Sequence, residues 1–149
     1  MRKINHIVLH CSATKAGQKV TASDIEKWHK QRGFRKIGYH YVVYLDGSIV
    51  AGRDISEPGA HVAGNNSDSI GICYVCGLDA AGKPSDTRTQ EQKAALIFLL
   101  ESLRERFPNA AISGHRDFSP DLNGNGIIEP WEYIKACPCF DAKTEYKNI

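Results

Sequence analysis

Residues 4–10, INHIVLH, alternate apolar and polar side chains and are rich in β-branched residues, the period-two pattern of a strand with one face in a core. This predicts a strand ending near His10, with His10 and Cys11 on opposite faces, because successive strand side chains point to opposite sides. Outward from it the period changes. Residues 21–33, TASDIEKWHKQRG, hold Thr21 and Asp24 at capping-box spacing, Ile25 and Trp28 three apart, and Gly33 as a stop, which predicts a short amphipathic helix. GYHYVVYL (38–45), the pair Asp46-Gly47 and SIVAGR (48–53) predict a hairpin. DISEPGAHVAGNNSD (54–68) reads as a long surface loop, and residues 69–77 as another strand. TQEQKAALIFLLESLRERF (89–107) has Thr89 and Gln92 as a capping box and helical periodicity, so it is the main helix, packed across the sheet. A last strand, AAISGH, delivers His115 at its end, and Pro130 suits the first turn of a short helix PWEYIKA (130–136). The class is α/β: a single domain over 1–149 with a central mixed sheet flanked by helices.

Composition narrows the function classes. A chain of 149 residues is one domain's worth, and 42% hydrophobic with 24% charged residues suits a globular protein. The formal charge of +2 is small and Lys and Arg are scattered, which argues against nucleic acid as a partner. The longest apolar segment, AALIFLL, falls far short of the roughly 20 residues a membrane span requires. The N-terminal stretch lacks a signal-type pattern, so synthesis in the cytoplasm is the expectation. Five cysteines, an odd number, fit a reducing compartment better than a disulfide framework. Cys73 and Cys76 form a CxxC, but three apart on a strand they face opposite ways and read as buried structural thiols.

A catalytic zinc site needs three protein ligands and an open position for water. His10 and His115 at strand ends, with Cys137 late in the chain, could supply them. Spacing alone makes a weak case for them, since a lone histidine at a strand end is more often a satisfied structural residue.

The segments VLHCSAT, GYHYVV before DGSIVAGRD, GAH with SIGI, GHRD, and KACPCFD occur in an order that resembles the zinc-dependent N-acetylmuramoyl-L-alanine amidases, the type 2 amidase and peptidoglycan-recognition family. The similarity runs from about residue 4 to 141 and is nearest to the small phage amidase lysozymes. The resemblance implies an amidase-like or peptidoglycan-recognition-like fold, zinc held by His10, His115 and Cys137, and catalytic roles for Tyr39 and Lys135. It implies hydrolysis of the amide joining N-acetylmuramic acid to L-alanine, with peptidoglycan or muropeptides as the partner. His61 stands at the GxH position, where it would contact substrate or be tied to backbone. Cys139 would either support the ligand cysteine from behind or pack beside the site, and His40 would be a structural residue. As an endolysin of phage or prophage type the chain would reach the wall after lysis-associated release, or act on cytosolic muropeptides. The alternative is a peptidoglycan-binding module without catalysis.

Between the second histidine and the ligand cysteine lies an insertion, DFSPDLNGNGIIEPWEYI, in which residues 121–132 fit an EF-hand-like loop. Its expected Ca²⁺ ligands are Asp121, Asn123, Asn125, the Ile127 carbonyl, Glu129 directly or through water, and Glu132. Hard oxygen ligands and a soft thiolate imply two different metals rather than one shared ion. A metal-free Asn-Gly turn capped by a glutamate is the competing reading, and a calcium-responsive regulatory protein has only this loop in its favour.

Overall fold

The computed structural model describes all 149 residues. Its elements run β1 (His6–Cys11), β2 (Thr14–Lys15), α1 (Ala22–Gln31), β3 (Tyr41–Val43), β4 (Ile49–Ala51), β5 (Ser69–Tyr74), β6 (Gly77–Leu78), α2 (Gln90–Arg106), β7 (Ala111–Gly114) and α3 (Ala142–Glu145). Five strands make one sheet in the order β4-β3-β5-β1-β7, and β2 pairs with β6 beside it. β1 runs parallel to β5 and β7, β3 parallel to β5, and β3 and β4 form the antiparallel hairpin. The sheet is therefore mixed, as the sequence predicts.

Alternation along the strands assigns the two faces. Ile7, Leu9 and Cys11 of β1 and Ile70, Ile72 and Tyr74 of β5 enter the larger core with Leu96, Leu99, Leu100 and Leu103 of α2. Those leucines recur at helical spacing on one stripe, and burying each contributes about 1.5–3 kcal/mol. Both predicted capping boxes form, Thr21 with Asp24 and Thr89 with Gln92. Gln92 also docks its helix: its Oε1 accepts from the Thr89 N–H at 2.9 Å while its Nε2 donates to the Val75 carbonyl at 2.8 Å. On the other face Val42, Cys73 and Val75 meet Val20, Ile25 and Ile37. Cys73 and Cys76 are both fully buried and fall in different cores, the opposite-face placement their spacing requires.

Two expectations need correction. PWEYIKA does not form a helix; only Pro130–Glu132 makes a 3-10 turn, and Tyr133 leaves it at ψ 122°. The Glu132 carboxylate accepts the N–H of Glu129 as in a capping box, so a turn starts, but the Ile134 N–H, which a continuing helix would give to the Pro130 carbonyl, donates instead to Ser119 Oγ at 3.0 Å, and the chain runs on to Cys137-Pro138 without a helix. His115 does not close β7 but opens a 3-10 turn, His115–Phe118. The sequence reading also misses α3, whose N-cap Asp141 accepts from the Thr144 N–H.

Candidate metal centre and cleft

β1 and the turn after β7 end side by side, because β7 pairs directly with β1. This carries His10 and His115 to one end of the sheet, with ring centroids 4.7 Å apart. Cys137 arrives from the far side of the insertion, tied in by the Arg116 N–H, which donates to its carbonyl at 2.8 Å. One ligand atom from each of His10, His115 and Cys137 lies within 4.8 Å of the others, the one such group among the histidine, cysteine and acidic side chains. His10 Nδ1 stands 3.9 Å from Cys137 Sγ, and the Cys11 backbone N–H donates to that sulfur at 3.2 Å. Donor atoms around tetrahedral zinc stand roughly 3.3–3.8 Å apart, so the 3.9 Å pair of His10 and Cys137 is close to that spacing and the full set, within 4.8 Å, reaches it by drawing together about 1 Å.

Burial holds the histidines neutral. His10 is 1% exposed, and burial first, then neighbouring His61, His115 and Lys135, push its pKa well below the usual imidazole range. His115 is held down to about 4 by burial and, second, by the charge on Lys135. Burial, with His40 and His115 beside it, takes His61 down to about 3. Neutral rings are the ones a metal can use. Tyr39 lies with its ring centroid 5.0 Å from that of His10, and burial raises its phenol well above the ordinary value, so it remains a hydrogen-bond donor at neutral pH.

The centre lines a cleft of about 690 Å³. Trp28, Arg32 and Phe34 form a wall on the α1 side, and Phe118 and Ile134 border it from the insertion. Arg32 and Lys135 are the cleft's only Lys or Arg, and no Asp or Glu lines it. The Arg32 guanidinium lies 5.1 Å over the Phe34 ring.

Of the residues singled out from sequence, His10, His115, Cys137, Tyr39, Lys135 and His61 all border this cleft. Cys139 stays outside the ligand group, its sulfur 3.8 Å from that of Cys11 on the core side. His40 is structural: it is fully buried, and its Nδ1 accepts from the Gly71 N–H at 3.0 Å. What sequence reasoning missed is the partner of His61, whose Nδ1 lies 2.8 Å from His10 Nε2. A signal was present in Ser69, Gly71 and Cys73, small residues at period two on the strand face beside β1, which leave room for a ring.

The calcium expectation finds no support here. Asp121 accepts the N–H groups of Gly124 and Gly126, Asn123 Oδ1 that of Asn125, and Asn125 Oδ1 that of Ile127. Glu132 accepts those of Leu122 and Glu129, and Glu129 takes the amide groups of Asn123 and Asn125. The loop oxygens are thus spent on the loop's own donors, and its carboxylates do not gather into a metal-binding group. Its two ends are fastened by the Ile134 N–H donating to Ser119 Oγ at 3.0 Å and by Arg116 stacked 4.7 Å over Tyr133.

Comparison with known proteins gives the same direction. A family model described as N-acetylmuramoyl-L-alanine amidase matches residues 1–138. The endolysin of Enterobacteria phage K11 is 40% identical over 147 residues, spanning 99% of this chain and 88% of that protein. The endolysin of Escherichia phage T7 is 38% identical over 137 residues, 92% of this chain and 82% of its own. Among solved structures, N-acetylmuramoyl-L-alanine amidase LysC from Clostridium intestinale has a TM-score of 0.67 at 28% identity, covering 88% of this chain and 82% of that one. Bumblebee PGRP-SA shares the fold, with a TM-score of 0.73 at 18% identity over 99% of this chain and 83% of that one. Since the matched span carries the fold from β1 through to Cys137, the chain belongs to the N-acetylmuramoyl-L-alanine amidase family.

Proposed function

We propose that this chain hydrolyses the amide bond between N-acetylmuramic acid and L-alanine in peptidoglycan, using zinc held by His10, His115 and Cys137. The observation that carries the reading is the meeting of those three donors in a cleft that also holds Tyr39 and Lys135. Zinc bound there would bring the pKa of a coordinated water to about 7 and polarise an amide carbonyl. The residues of the chain do the rest. The Lys135 ammonium offsets the negative charge that builds on the carbonyl oxygen as the amide carbon becomes tetrahedral. The neutral Tyr39 phenol hydrogen-bonds the reacting oxygen and helps pass a proton to the departing amine of L-alanine. A cleft with two cations and no carboxylates suits a substrate whose stem peptide carries free carboxylates. The insertion at 121–132 acts as a metal-free border of that cleft, and the whole of 1–149 serves as one amidase domain.

The relatives named endolysins point to the cell wall as the place of action. The test is digestion of purified sacculi, scored by mass analysis for stem peptides with a free L-alanine amino terminus. The wild type should release them and lose the activity on chelation, and Cys137→Ser should lose both zinc and hydrolysis. Binding to sacculi without release would decide for a recognition module instead. Undiminished hydrolysis by Cys137→Ser would overturn the ligand assignment.

A further inference from the structure

His61 is outside the ligand group, yet the fold is shaped around its ring. A Cβ at Gly59 would stand 2.6 Å from His61 Cδ2, and one at Gly71 would stand 2.7 Å from its Cγ, so the ring occupies a slot that only glycines leave open. The loop behind the ring is pinned as well: Asn66 Oδ1 accepts the backbone N–H of both His61 and Val62 at 2.9 Å. Both ring nitrogens are engaged. Nδ1 lies 2.8 Å from His10 Nε2, and Nε2 lies 3.1 Å from the hydroxyl of Ser69, a fully buried residue.

One constraint sets the direction of this chain of hydrogen bonds. His10 Nδ1 is the nitrogen that faces Cys137, so a metal shared with Cys137 takes that atom and leaves it without a proton. The neutral His10 ring then carries its proton on Nε2 and donates to His61 Nδ1. His61 is left as the Nε2–H tautomer and donates to Ser69 Oγ. We infer that His61, backed by Ser69, is a positioning residue for His10, fixing its tautomer and aim so that Nδ1 is presented to the metal. The inference rests on the zinc reading above. In many metal sites a carboxylate or a backbone carbonyl holds the ligand histidine in this way. A neutral imidazole in that place adds no negative charge beside the cation.

The experiment compares zinc affinity by chelator competition in the full-length wild type, His61→Leu and His61→Asn, together with ¹⁵N NMR of the imidazoles in the zinc-loaded wild type. His61→Leu should bind zinc about 10–100-fold more weakly, the usual cost of losing such a partner. His61→Asn, whose Oδ1 can stand where Nδ1 accepts, should recover a large part of that loss. The loaded wild type should show His61 neutral and protonated at Nε2. Wild-type affinity in His61→Leu, or a proton on His61 Nδ1, overturns the inference alone. A wild type that takes up no zinc overturns the zinc reading along with it. The NMR measurement needs no variant, so a failure of His61→Leu to fold leaves it decisive.

Discussion

Gly71→Ala probes the metal centre without removing any polar atom. Gly71 sits inside β5, in extended backbone that alanine adopts freely, so the new methyl meets only what lies on the face above it. There an ideal Cβ would stand 2.7 Å from His61 Cγ and 2.8 Å from Cδ2 and Nδ1, where ordinary contact begins at 3.4 Å. The ring must retreat by about 0.7 Å, the scale of overpacking that typically costs 1–3 kcal/mol. A retreat of that size along the 2.8 Å bond to His10 brings it to the limit of hydrogen bonding. Zinc affinity should then fall about tenfold, the low end of what losing a ligand's partner costs, since His61 itself remains. Urea unfolding of the metal-free protein measures the first effect and chelator competition the second. A destabilised Gly71→Ala that binds zinc like the wild type would refute the link from ring placement to metal. An undisturbed stability would refute the seating of the ring itself.

Lys135→Met should keep its zinc and lose about 10²–10³ in kcat on muropeptides, the scale of one oxyanion donor, while a loss of metal would give Lys135 a structural role instead. His29 supplies a pH dependence. It is 6% exposed, its Nδ1 accepts from the Gly38 N–H, and burial, aided by Arg32 and Arg53, lowers its pKa to about 4. The unfolded chain therefore binds the proton first, and the stability His29 contributes is full above its unfolded pKa of about 6.5 and lost as pH falls toward about 4. Between pH 7 and pH 5 this amounts to about 2 kcal/mol unscreened and about 1 kcal/mol after solvent screening. The stability gap between wild type and His29→Asn in urea should narrow by that amount, and a gap that is constant with pH would contradict it. Selective calcium chelation with zinc maintained should leave the melting temperature unchanged, whereas Glu132→Ala should cost about 1–3 kcal/mol by stranding the N–H groups it accepts. A melting temperature that rises on adding calcium would restore the calcium reading of the 121–132 loop.

Much was legible along the chain because it is local. Alternation in INHIVLH put His10 and Cys11 on opposite faces, and in the fold Cys11 enters the core while His10 lines the cleft. The capping boxes at Thr21 and Thr89 require only residues three apart, and both helices begin where those boxes place them. PWEYIKA differs from its local reading because the deciding partner is distant. Its Pro130 does start a turn, but the Ile134 N–H is taken by the Ser119 hydroxyl from 15 residues away, a partner that a propensity argument does not contain.

By itself the sequence determined the strand and helix periods, the faces of β1 and β5, and the family resemblance that singled out His10, His115, Cys137, Tyr39 and Lys135. Tertiary structure alone decided that His61 reaches His10 from 51 positions away and that the insertion oxygens turn inward on their own loop. The physical reason is range: periodicity and capping are set by neighbours within a few residues, whereas a hydrogen bond between two buried rings depends on which strands pair and on a glycine leaving space between them.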